Sequence, residues 1–307
     1  MIDAMHESPS QSPIVEKGSI LTASWPLFVL PAAVIAGLFH RVDPWQFMWG
    51  LAIAIYLGCK RISVWKAGLA RAPLRRRLLY FLVWPGMDAR AFLHTQVGND
   101  RGLTAGSWAL AAAKTMLGFV LVFVVVRRLP TDAHLVRGWV GMIGLIFVLH
   151  FGVFDLLSLA LRSQGIAARP LMMNPIASTS VGEFWGRRWN TAFRDLTHRF
   201  LFRPLTRRFN ARAALAVGFL VSGLAHDLVI SLPARGGYGG PTLFFVIQGA
   251  ALLFERSAVG RSFGLGRGLR GWLFTVGSLV LPAGLLFHRP FIETVMLPFF
   301  AAIGASA

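Results

Sequence analysis

The 307-residue chain holds a single cysteine, Cys59, and few charges, with only 14% of its residues Asp, Glu, Lys or Arg. One cysteine excludes an intrachain disulfide and a cysteine-based metal site. Acids are scarcer still, 13 against 31 basic residues. The eight histidines never fall in H-E-x-x-H spacing, so that zinc-protease motif is missing. No short-period repeat is present, which speaks against a solenoid.

What the chain has is apolar length. Hydrophobic residues make up 55% of it, with several apolar runs of roughly 14 to 20 residues. A bilayer core about 30 Å thick makes such runs membrane-spanning helices. The expected class is therefore all-α, a polytopic integral membrane protein. The formal net charge is +18. In a soluble protein that would point to nucleic acid. Here the basic residues sit between apolar runs, so they read as headgroup contacts and topology signals, and no nucleic-acid partner is expected. An acidic, phosphate-bearing substrate suits the same charge.

Residues 1–20 are polar and read as a mobile tail, with one membrane-embedded domain over 21–307. No basic n-region precedes the first apolar segment, which is expected to stay in the mature protein. Eight spans are expected: 22–39, 44–59, 108–126, 139–157, 213–232, 242–254, 271–287 and 290–303. Lys60 to Arg77 reads as an amphipathic helix on the cytoplasmic interface. Leu78–Trp84 is cut by Pro85-Gly86 and reads as a re-entrant or interfacial element. Lys114 is expected to snorkel from within its span. With this layout 24 of the 31 basic residues fall on the cytoplasmic side and six on the other. Both termini are then cytoplasmic. The Arg- and Ala-rich composition and compact loops lean towards a bacterial inner membrane.

The chemistry concentrates between Ser178 and Asp227. Ser180-x-x-Glu183 is capping-box spacing, so a helix is expected to start at about Val181. If that helix continues, Glu183, Arg187, Asn190 and Arg194 share one face, and Trp185 and Trp189 another, with Phe184 and Arg188 between. Glu183 can be a cap or part of a site. The arginines, including the strongly basic run from Arg194 to Arg212, can anchor to headgroups or hold phosphates. Asn190 can be a packing amide or face a chamber.

His226 sits about halfway along an apolar span, where an ionisable side chain is costly and a functional candidate. Ser222 precedes it by one turn on the same face, and Gly223 leaves room for a helix or a substrate. Asp227 points about 100° away and is not an automatic partner. A neutral imidazole here can act as general base, or simply bond a neighbouring helix. His150, with Asp155 about one and a half turns on, is the rival. His150, Asp155 and His226 on one polar pathway would suit a transporter or flippase. Two related halves would be expected then, and none is visible.

The E-F-W-G-R-R-W-N run ending at Asn190 and the S-G-L-A-H-D-L run holding His226 resemble the membrane-bound O-acyltransferase superfamily. The closest branch is that of the plant wax synthases and related sterol or long-chain-alcohol acyltransferases. F-L-V-W-P-G-M-D-A at 81–89 is similar to the same branch. The resemblance runs from about residue 78 to 232, and the rest agrees in hydropathy only. It implies that His226 is the catalytic base and Asn190 its companion, acting on an acyl-CoA donor and a lipophilic alcohol to form a wax or sterol ester. It implies substrate contacts from Glu183, Trp185, Arg187, Arg188, Trp189, Arg194 and Ser222. Arg187, Arg188, Arg194 and Arg199 would lie nearest the CoA phosphates. Acyl-CoA enters as a substrate, and no metal or bound cofactor is indicated.

Overall fold

The computed structural model describes Ile20 to Ala305, apart from Lys66, Val97, Asn99 and Arg101. The expected tail lies outside the described residues except for Ile20, as do Lys17, Lys66 and Arg101 of the charge count. Among the described residues every regular element is a helix, with one isolated bridge between Gln96 and Ile166. Five helices are long and apolar enough to cross a membrane: Pro44–Val64, Ala105–Arg128, His134–Arg162, Ala211–Ala234 and Gly268–Leu286. The other three expected spans are helical but shorter: Ala23–Leu38, Gly240–Glu255 and a continuous helix over 289–302. The fold is all-α and polytopic.

Several helices begin at a polar cap. Asp43 precedes Pro44 and exchanges a capping box with Gln46. Asn210 accepts from the Ala213 N–H at 2.9 Å and starts the His226 helix. Burial separates a central helix from its neighbours. Over its most apolar window Pro44–Val64 is 56% buried, whereas the other four long helices are 11–22% buried and turn their apolar side chains outward. That outward surface is what hydrocarbon solvates. Helices meet instead through small residues. A Cβ on Gly223 would stand 2.7 Å from the Thr242 Cα, so the His226 helix and Gly240–Glu255 touch backbone to backbone there.

The stretch from Lys60 to Arg77 is not one interfacial helix. Pro44–Val64 runs through Lys60 and Arg61, a short 3-10 turn follows at Leu69–Arg71, and a new helix covers Leu74–Leu82. Gly68, at φ 66°, and Pro73 interrupt the helical path. Lys60 is fully buried and contacts no headgroup. Its Nζ donates to the carbonyls of Trp84 at 2.7 Å and Gly86 at 2.6 Å and lies 3.5 Å from the centre of the Tyr80 ring. The Tyr56 hydroxyl donates to the same Trp84 carbonyl at 3.0 Å. The chain can leave the helix at 84–88 because these donors satisfy carbonyls that no helix bonds. Helices Leu74–Leu82 and Ala89–His94 on either side are each too short to cross, in keeping with the expected broken element.

Two buried clusters form the core. One gathers Tyr80, Trp84, Phe92, Ile166, Leu171 and Leu196 around the broken element. The other gathers Val122, Met142, Ile230, Ile292 and Phe300 around the last helix. Several helices carry a five-residue π-turn, a feature common at functional sites. Four of these turns, at Leu149–Val153, Phe184–Arg188, His198–Phe202 and Asp227–Ser231, hold or adjoin the candidate residues.

Candidate functional site

The helix carrying the W-G-R-R motif begins at Val181, as the capping-box spacing predicts. Ser180 Oγ accepts from the Glu183 N–H at 2.8 Å, and the Glu183 carboxylate accepts from the Thr179 N–H at 3.0 Å. A second cap was not foreseen. Glu255, only 6% exposed at the end of Gly240–Glu255, accepts from the N–H groups of Val181 at 2.6 Å and Gly182 at 3.4 Å. A carboxylate there satisfies free donors and complements the positive helix end.

The helix does not continue through Asn190. It closes in the π-turn Phe184–Arg188, Trp189 is extended, and Asn190 is left-handed at φ 43°. Asn190 then caps a new helix, Thr191–Thr197, its side-chain oxygen accepting from Phe193 N–H at 3.5 Å. A tertiary strap overrides helical spacing. Met173 N–H donates to the Arg188 carbonyl at 2.8 Å, Thr191 N–H to the Leu171 carbonyl at 3.0 Å, and Asn190 N–H to Met172 Sδ at 3.2 Å. Asn tolerates the left-handed region better than most residues. Glu183, Arg187, Asn190 and Arg194 therefore share no common face.

Most of the expected phosphate-binding arginines are committed to the fold. Arg188 Nε donates to Glu183 at 2.7 Å, and its Nη1 to the carbonyls of Met173 and Asn174, both at 3.1 Å. Arg194 donates to the Gly186 carbonyl at 2.9 Å and pairs with Asp195. Arg199 reaches Asp88 at 3.6 Å. Arg187 is exposed, with no polar partner among the described residues. Partial burial pushes the Glu183 carboxyl up, but the Thr179 N–H and the Arg188 guanidinium hold it below the usual carboxylate range.

His226 ends the α-helical part of its span, just before a π-turn. Its Nδ1 lies 2.7 Å from the Ser222 carbonyl. A carbonyl only accepts, so Nδ1 carries the proton and Nε2 holds the lone pair. Nε2 has no hydrogen-bond partner among the described residues. The Ser222 hydroxyl turns back to the Gly218 carbonyl at 3.0 Å. Asp227 is occupied elsewhere, accepting from Ser231 at 2.8 Å, from Gly239 N–H at 2.9 Å, and from both the N–H and hydroxyl of Thr242. It ties down the 235–239 turn and the start of Gly240–Glu255 rather than the His226 ring. Ser231 lies 3.2 Å from His288 Nε2. That group is no nucleophilic triad: His288 Nδ1 accepts from Phe291 N–H, so Nε2 is a donor and the serine gives its proton to Asp227.

No hydrogen bond joins Asn190 to His226 among the described residues. An aromatic row does. Phe245 lies 4.4 Å from the His226 ring centre and 5.5 Å from Trp185. Trp185 meets Phe184 at 5.0 Å, Phe184 stacks on Trp189 at 5.5 Å, and Trp189 stacks on His150 at 5.8 Å. Trp185 and Trp189 are thus separated by Phe184 rather than paired. Gln248, fully buried, steadies the row: its Oε1 accepts from Trp185 Nε1 at 3.4 Å and its Nε2 donates to the Ser278 carbonyl at 2.7 Å. Gln248 and Glu255 had a signal in the sequence, being polar groups in or ending an otherwise apolar helix. Phe245 had none.

Lys114 does not simply snorkel. It pairs across two helices with Asp155 at 3.5 Å and lies 5.9 Å from the Phe151 ring. Asp155 therefore has a cation of its own and no bond to His150. Among the described residues no group of three His, Cys, Asp or Glu could hold a metal ion. Two shallow surface grooves lie elsewhere, one beside His134 and Arg289, the other between Ile247 and Leu281.

Residues 168–247, which include both Asn190 and His226, match the Membrane bound O-acyl transferase family. The probable long-chain-alcohol O-fatty-acyltransferase 9 of Arabidopsis thaliana is 34% identical over 155 residues, 46% of this chain and 45% of that protein. The long-chain-alcohol O-fatty-acyltransferase of Simmondsia chinensis is 31% identical over 141 residues, 42% of this chain and 40% of that protein. The probable long-chain-alcohol O-fatty-acyltransferase 7 of Arabidopsis thaliana is 30% identical over 142 residues, 42% of each. The match thus covers less than half the length of each relative. The family match at 168–247 overlaps the stretch that carries the resemblance read from the motif residues, and the relatives' names fall in the same long-chain-alcohol acyltransferase branch.

Proposed function

We propose that the chain is a membrane-bound acyl-CoA:alcohol O-acyltransferase that joins a fatty acyl group to the hydroxyl of a long-chain or sterol-like alcohol. The observation that carries this reading is the His226 tautomer. With Nδ1–H donated to the Ser222 carbonyl, Nε2 is the ring's only basic atom, and an aromatic row leads from it to the Trp189-Asn190 break. Nε2 takes the proton of the acceptor hydroxyl, whose oxygen forms a bond to the thioester carbonyl carbon. The C–S bond breaks, and the CoA thiolate recovers the proton from Nε2–H. The products are one ester and one free thiol.

Asn190 supplies the complementary group. Its side-chain oxygen is used by Phe193 N–H, which leaves the amide N–H donors for the oxyanion that forms on the thioester oxygen. A donor aimed in advance in a dry site contributes about 3 kcal/mol to such a step. The aromatic row excludes water that would hydrolyse the thioester. Trp185, Trp189 and Phe184 offer the apolar wall for the chains, and Arg187 is the uncommitted cation nearest the motif. Glu183, Arg188 and Arg194 shape the site and are not expected to touch substrate. The reaction uses no metal or bound cofactor.

Arg203, Arg207, Arg208 and Arg212 are exposed along the segment between the two motifs. In this reading they face the cytoplasmic side where acyl-CoA arrives, and the expected layout puts both termini on that side. The bacterial inner membrane suggested by composition belongs to this proposal. The polar-pathway reading has lost its continuity: Asp155 pairs with Lys114, and rings rather than hydrogen bonds lie between His150 and His226. The test is to supply labelled palmitoyl-CoA with long-chain alcohols, sterols and diacylglycerol to membranes holding the protein. A labelled neutral ester absent from control membranes supports the reading, and the productive alcohol names the acceptor. Absence of ester with every acceptor counts against it.

A further inference from the structure

We propose that His150 is a positioning residue whose ring clamps Trp189 and so holds Asn190 in its left-handed backbone conformation. The inference rests on the role just proposed for Asn190. Two rings stack on Trp189. Phe184 lies at an interplanar angle of 12°, and His150 at 14° with centres 5.8 Å apart. Phe151 closes the edge at 6.2 Å and 74°. Both stacking partners come from π-turns, Phe184 opening one and His150 second in another. A π-turn places one extra residue in the helix, a device for aiming a side chain that regular spacing would turn elsewhere.

The residue so clamped is the one directly before Asn190. Asn190 occupies φ 43°, a region that side chains resist unless the surroundings impose it. The surroundings act from two sides. The 171–173 strap holds the backbone through Leu171, Met172 and Met173. The stacked Phe184 and His150 rings, with the Phe151 edge, hold the Trp189 side chain. Removing one side of that clamp frees Trp189 to rotate, and the Asn190 amide moves with it.

His150 acts through its ring faces. Its Nδ1 is buried with no hydrogen-bond partner among the described residues. Its contacts are ring contacts, with Trp189 and, at 5.4 Å, with Phe154. A general base or a member of a proton path needs its nitrogens, and no other ring can replace it. A clamp needs only a flat ring of similar size. Phenylalanine separates the two roles, since it keeps the stack and removes both nitrogens.

The experiment compares wild type, His150→Phe, His150→Ala and His150→Leu, purified in detergent and assayed below their melting temperatures. Fold is monitored by size-exclusion profile, and kcat and KM are measured per folded molecule. The expected result is a His150→Phe enzyme within about threefold of wild type in kcat. His150→Ala and His150→Leu should lose about tenfold or more in kcat, with KM for both substrates changed less than about twofold, because misplacing a reacting group by about 1 Å can cost 100-fold. Should the alanine variant not fold, the leucine variant carries the same arm. Loss in His150→Phe equal to that in His150→Leu would overturn the proposal in favour of nitrogen chemistry. A fall in melting temperature with unchanged kcat would overturn it in favour of plain packing. Inactivity of the wild type itself would instead sink the acyltransferase reading.

Discussion

The Nδ1–H of His226 donates to the main-chain carbonyl of Ser222, not to its hydroxyl, at 2.7 Å. The ring is therefore held by the helix itself, one turn back. Ser222→Ala should leave the enzyme almost untouched, within about twofold in kcat and about 0.5 kcal/mol in stability. Ester formation and thermal melting of that variant check this. A tenfold loss of kcat would mean that the Ser222 hydroxyl touches substrate.

Backbone and side chain of Asn190 can be tested apart. Glycine accepts the left-handed conformation but has no amide, whereas alanine lacks the amide and strains the backbone by about 1–2 kcal/mol. Asn190→Gly should melt close to wild type and Asn190→Ala clearly lower. Both should lose about 100-fold or more in kcat if the amide stabilises the oxyanion. Full activity in the folded glycine variant would remove Asn190 from the chemistry.

Glu255 links the end of one apolar helix to the start of the motif helix through two N–H groups. Hydrogen bonds to charged groups contribute about 1.5–3 kcal/mol, so Glu255→Ala should destabilise the protein by about that amount. Because the helix it caps leads to Asn190, activity should fall with the loss of folded protein. Thermal unfolding in detergent decides it, and an unchanged midpoint would show that water replaces the carboxylate freely.

Acid should weaken the Glu183 contribution. Its folded pKa lies below the ordinary value through Thr179 and Arg188, despite burial acting in the opposite direction. A lowered carboxylate pKa contributes stability above the unfolded value, about 4.3, and loses it as pH falls through the folded one. Glu183→Gln should thus melt below wild type near neutral pH, and the gap should narrow as pH falls below the ordinary carboxylate value and close once pH has passed the lower folded one. A gap independent of pH would assign the effect to packing.

Much of this architecture is legible from residues alone, and the failures have particular causes. The apolar runs and the start at Val181 follow from hydropathy and a Ser-x-x-Glu pair, which act locally. The break at Trp189-Asn190 does not, because residues 183–194 keep helical spacing. Only the distant 171–173 strap imposes the break. Lys60 looks like one of seven interfacial cations until the carbonyls of Trp84 and Gly86 surround it. Asp155 suggests a relay with His150 until Lys114 approaches from another helix. Each of these turns on a partner far along the chain.

Ester synthesis by wild type against His226→Ala, with labelled acyl-CoA and a productive alcohol, tests the central claim most directly. Size-exclusion profile and melting temperature should match in the two proteins. The account predicts that the variant loses its ester product, a fall of about 100-fold or more for a lost general base. A folded His226→Ala protein that makes ester at the wild-type rate would contradict it and leave the Nε2 lone pair without a role.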